Sequence, residues 1–81
     1  MTHKVRSSKW SELIDELEER SFQGVTFDMA DLSFVYFLAK DKSGVIEIKV
    51  CFERGDIYQR ELGYEDWWYV DYLESNTHIE K

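Results

Sequence analysis

Residues 45–53 read VIEIKVCFE, and the two faces of that stretch decide the fold. Ile46, Ile48, Val50 and Phe52 fall on one side. Glu47, Lys49, Cys51 and Glu53 fall on the other. Successive strand side chains point to opposite faces, so this alternation predicts a strand buried on one face and wet on the other. Turn chemistry flanks it. Asp41-Lys42-Ser43-Gly44 precedes and Arg54-Gly55-Asp56 follows, both rich in residues that favour tight reversals. Beyond the first turn, LSFVYFLAK (32–40) is rich in aromatic and β-branched residues and predicts a second strand. Beyond the second, IYQREL (57–62) predicts a third, broken at Gly63. VTF (25–27) is a candidate short strand, and MAD (29–31) reads as a connector.

The N-terminal part has a different period. In SKWSELIDELEERSF (8–22), Trp10, Leu13, Ile14 and Leu17 fall at i, i+3, i+4 and i+7, one helical stripe. Glu12, Asp15, Glu16, Glu18 and Glu19 fall opposite, and the early acids suit the positive end of the helix dipole. Ser8 is the expected N-cap and Gly24 the expected stop.

The closing run, GYEDWWYVDYLES (63–75), holds five aromatics and four carboxylates. As a helix its apolar residues go all the way round, and no stripe emerges. As a strand it splits. Trp68, Val70 and Tyr72 form a wholly apolar face, expected to complete the core. Trp67, Tyr69, Asp71 and Leu73 form a mixed face. The strand reading is preferred, since Trp, Tyr and Val favour strands. These elements predict an α+β fold: one N-terminal helix packed on one face of a three- to four-stranded antiparallel meander sheet. Residues 1–81 form a single small domain, with 1–7 and 76–81 as loose tails. One helix cannot cover both faces of such a sheet, so the second must meet solvent, a partner or another copy of the chain.

The 81 residues carry a net charge of −7, unevenly placed. Residues 11–31 hold seven acids against Arg20, and residues 61–81 hold six against Lys81. Residues 32–60 are almost balanced. Such a field repels nucleic acid and anionic membrane and attracts basic surfaces. A single cysteine, Cys51, rules out an internal disulfide and suits a reducing compartment. MTHKVRSSKW has no apolar signal segment, and FVYFLA (34–39) is too short to span a bilayer. A cytoplasmic location is expected.

No pattern points to chemistry. His3 and His78 lack the spacing of metal ligands. The serines lie in no nucleophile-elbow pattern, and the glycines make no phosphate loop. Asp71 is expected in a cross-strand pair with Lys49 or Arg60. No catalytic residue, metal or cofactor is expected. Arg54-Gly55-Asp56 resembles the integrin-recognition tripeptide, but its place between two strands reads as a turn.

In size and composition the chain is similar to phage-encoded inhibitors of host defence enzymes and to immunity proteins that neutralise nuclease toxins. That likeness carries no residue across. It implies a small acidic binding module that docks on a basic, nucleic-acid-handling protein in place of nucleic acid, without binding nucleic acid itself. Expected contact residues are Glu65, Trp67, Tyr69 and Asp71 from the closing run and Glu12, Asp15, Glu16 and Glu19 from the helix. Trp and Tyr would anchor, and the carboxylates would steer. One alternative is a structural or accessory protein that self-associates as a homodimer through the uncovered sheet face. A second is a small enzyme or ligand carrier.

Overall fold

The computed structural model describes residues 10–73. The candidate tails, Ser8 and both histidines lie outside the described residues. Helix α1 (Ser11–Glu19) is followed by five strands: β1 (Gln23–Ala30), β2 (Phe34–Asp41), β3 (Gly44–Cys51), β4 (Asp56–Glu61) and β5 (Trp68–Tyr72). They pair antiparallel in the order β1-β2-β3-β4-β5. The α+β class and the meander order stand, but the sheet has five strands rather than three or four. Both ends of the chain account for the difference. The short VTF segment extends to eight residues by absorbing two register shifts, and the closing run adds a paired strand.

The helix ends at Glu19, inside the expected segment 8–22, and Gly24 does not stop it. Arg20 N–H donates to Leu17 O at 3.0 Å and Ser21 N–H to Glu18 O at 3.3 Å. Ser21 then takes φ 79°, a left-handed turn that swings Phe22 into the core. Gly24 lies inside β1.

Leu13, Ile14 and Leu17 of α1 share one hydrophobic cluster with Val35, Phe37, Ala39, Ile46, Ile48, Val50 and Ile57. Alternation along β2 and β3 supplies the sheet half of that cluster. Trp10 joins it, stacked on Phe27 with centroids 6.1 Å apart and tilted against Phe52 at 5.7 Å. The backbone of α1 runs closest to β1. It makes no comparable approach to β5, which it leaves uncovered except for the reach of Arg20.

The uncovered strand corrects one expectation. Trp68, Val70 and Tyr72 do not complete the core: they are 69%, 37% and 53% exposed. A bulge also breaks the assumed alternation. Tyr69 lies opposite Tyr58, but Ile57 lies opposite Asp71, which leaves Val70 as the extra residue. Past that point the faces exchange. Asp71 joins the side of buried Ile57, and Tyr72 joins that of Asp56. Leu73 closes the core, its N–H bonded to Gly55 O at 3.0 Å. Gly55 is required there: its φ is +75°, and a Cβ would meet the Leu73 Cβ at 3.2 Å.

Candidate docking margin at the fifth strand

The sheet face opposite the cluster is built by register. Met29, Tyr36, Lys49, Tyr58 and Tyr69 stand in one row across all five strands. Phe34 flanks this row, and Trp67 folds back from the loop before β5. Lys49 Nζ sits 4.4 Å from the Phe34 ring centre, 4.5 Å from Trp67 and 5.4 Å from Tyr58. Arg60 Cζ lies 4.2 Å from the centre of the Trp67 ring, while its Nε donates to Glu47 across the strand pair. Cations are attracted to the negative faces of aromatic rings, and their alkyl stems cover apolar surface. This face is therefore roofed by its own side chains. Phe34, Tyr36, Tyr58 and Trp67 are only half exposed.

The electrostatics follow from that packing. Burial beneath the rings, then the charge of Arg60, hold the Lys49 ammonium below its ordinary range. Asp31 accepts from Phe34 N–H at 2.8 Å and Ser33 N–H at 2.9 Å, which pull its carboxyl below the usual range. Burial, then the bond its hydroxyl donates to Asp31 at 3.1 Å, push the Tyr36 phenol up.

The most exposed rings lie along β5 and the loop before it, where Tyr69 ends the row of the roofed face. Tyr64 and Trp68, 65% and 69% exposed, line one groove, while Tyr69 and Tyr72, 57% and 53% exposed, stand on the other side of the strand. Among the described strands β5 is an edge. Its far end is capped: Asp71 Oδ1 accepts the Tyr72 N–H at 2.8 Å, and Arg20 Nη2 reaches the Tyr72 carbonyl at 3.4 Å. Loose strand edges invite further pairing, and these contacts limit the open part to residues near Trp68.

The eight candidate contact residues divide into four groups. Glu65 and Tyr69 are exposed on the margin, and the Glu65 carbonyl accepts from Arg60 Nη1 at 3.2 Å. Trp67 belongs to the roofed face. Asp71 does not pair with Lys49 or Arg60. The bulge turns it toward the helix, where Arg20 Nε donates to it at 2.9 Å and Arg20 Nη1 donates to Glu16 at 2.9 Å. Arg20 thus joins the two acidic blocks at one corner. Burial works against its charge, but Glu16 and Asp71 outweigh that and raise its pKa. The Tyr72 N–H, then Arg20, hold Asp71 below the usual carboxylate range. Glu12, Asp15 and Glu19 are exposed on the helix.

Sequence reasoning did not single out Tyr64, Asp66 or Trp68 as contact residues. With Gln59, Arg60 and Glu61 they line a groove of about 510 Å³ at the β4–β5 connection. A second hollow, about 630 Å³, opens beyond the helix end beside Arg20, Phe22, Gln59 and Val70. Among the described residues no set of three or more His, Cys, Asp or Glu gathers as metal ligands would. No helix among them is long and apolar enough to cross a membrane. Comparison of the chain with protein-family models, curated proteins and solved structures returns no match.

Proposed function

We propose that the protein is a small acidic binding module that docks on a basic protein surface. The reading takes that surface to be the nucleic-acid groove of another protein, occupied in place of phosphates. One observation carries it: β5 and the loop before it expose Tyr64 and Trp68 on one side and Tyr69 and Tyr72 on the other, on a chain whose residues 10–73 bear six basic and fifteen acidic side chains. Exposed aromatics are strong anchors when a partner buries them. Carboxylates around them speed encounter with a basic surface and fix its register. In this reading α1 packs on one sheet face but leaves β5 uncovered, and the cation-roofed rings protect the middle of the other, so the β5 margin is left for the partner.

Affinity capture from the native host tests the proposal, with elution by salt and by nucleic acid. A specific partner should be released by both, because screening weakens charge attraction and phosphates compete for the same groove. A partner retained unchanged at high salt would contradict it. Self-association through the roofed face is the competing reading. It requires a second copy to displace Lys49 and Arg60 from the rings they cover. Sedimentation separates the two, since only self-association gives a stable dimer of the isolated protein.

A further inference from the structure

The groove between Tyr64 and Trp68 has walls and charges of a particular kind. Its two aromatic rings are the most exposed on the described chain. Glu61 and Asp66 line it too, and neither carboxylate makes an ion pair or side-chain hydrogen bond among the described residues. Arg60 is the one cation in the lining, and its charge is directed to Glu47, Trp67 and the Glu65 carbonyl. The groove therefore offers ring surface and unmatched negative charge together. Its volume of about 510 Å³ leaves room for a whole long side chain.

We infer that this groove receives an arginine side chain from the basic partner. The inference rests on the binding-module reading and specifies its central contact. A guanidinium is planar and weakly hydrated, so it stacks on aromatic rings while donating in a fork to a carboxylate. Trp68 and Tyr64 supply the rings, and Glu61 and Asp66 the acceptors. Gln59 adds a neutral amide to the lining. A lysine ammonium, compact and strongly hydrated, would gain the charge term without the planar stacking.

The test uses the full chain with indole-labelled tryptophan and three synthetic peptides. These differ only in carrying arginine, lysine or citrulline, the neutral analogue of arginine. Trp10, Trp67 and Trp68 give three indole N–H signals, so the chain contains its own controls. The arginine peptide should shift the Trp68 signal saturably, bind more tightly than the lysine peptide, and leave Trp10 unmoved. Citrulline should bind roughly tenfold or more weakly, as should arginine to the Glu61→Gln/Asp66→Asn variant. Equal binding of arginine and citrulline would overturn the inference. So would a basic peptide that binds while the Trp68 signal stays still; that result would move docking to the helix acids and leave the binding-module reading standing. If no basic peptide bound even at low salt, both readings would fall.

Discussion

Trp67 and Trp68 are adjacent in sequence but differ in environment, and replacing each with alanine separates their roles. Trp67 receives Lys49 Nζ at 4.5 Å and Arg60 Cζ at 4.2 Å, and its ring centre lies 6.3 Å from that of Tyr36. Each cation contact contributes roughly 0.5–1 kcal/mol at a partly exposed site. The tilted Tyr36 pair adds about 0.5 kcal/mol or more beyond area burial. Because Lys49 also lies over Phe34 and Tyr58, part of its attraction survives the loss of Trp67. Trp67→Ala should therefore destabilise by about 2 kcal/mol. In a domain of this size that lowers Tm by roughly 8–16 °C. Trp68, with its ring mostly in solvent, should change stability by no more than about 0.5 kcal/mol on truncation. Thermal and urea unfolding followed by circular dichroism give both values without relying on tryptophan emission. A double-mutant cycle with Lys49→Met should return a coupling of roughly 0.5–1 kcal/mol for Trp67 and none for Trp68. Equal losses from the two alanine variants, or a larger loss from Trp68→Ala, would show that the cations do not hold Trp67 in place.

Three further outcomes are expected. Gly55→Ala should destabilise by roughly 1–2 kcal/mol, because it places a side chain at positive φ and against Leu73; urea midpoints measure this. Asp31 and Asp71 both have pKa values lowered in the fold, so the stability they contribute is fully present above about pH 4 and is lost as pH falls through their lower folded values. Asp31→Asn and Asp71→Asn should each lower stability at neutral pH and flatten the acid limb of a pH–stability curve. Arg20→Met should release the far end of β5, seen as faster amide exchange at Tyr72 and Leu73, with helix exchange changed less.

The sequence carried the middle of this fold and lost its ends. VIEIKVCFE is legible because every second residue from Ile46 to Phe52 is buried, and a period of two survives any error in strand bounds. Helix α1 is legible for the same kind of reason, since Leu13, Ile14 and Leu17 share a face. Its end was not, because Ser21 takes a left-handed turn usually assigned to glycine. The closing run misled at one residue. The bulge at Val70 leaves no mark in composition, yet it sends Asp71 to Arg20 and Tyr72 to the opposite side. Trp68 looked like core because its face was apolar, but burial depends on whether the helix extends over that strand. The row from Met29 to Tyr69 depends on four separate registers, and no local pattern holds them. Acid–aromatic composition drew attention to residues 63–75 but assigned the rings to the wrong sides: Trp67 is half-buried while Trp68 and Tyr72 are exposed, a result that required the pairing of β4 with β5.

The most direct test of the central claim is a hydrogen-exchange footprint of the protein with and without an oligoarginine peptide at low salt. Docking at the groove should confine protection to the β4–β5 connection and the start of β5, residues 61–70, and that protection should fade as salt is raised. Protection centred instead on Tyr36, Lys49 and Tyr58, or spread along β1, would place the contact on another surface and rule out docking at the groove.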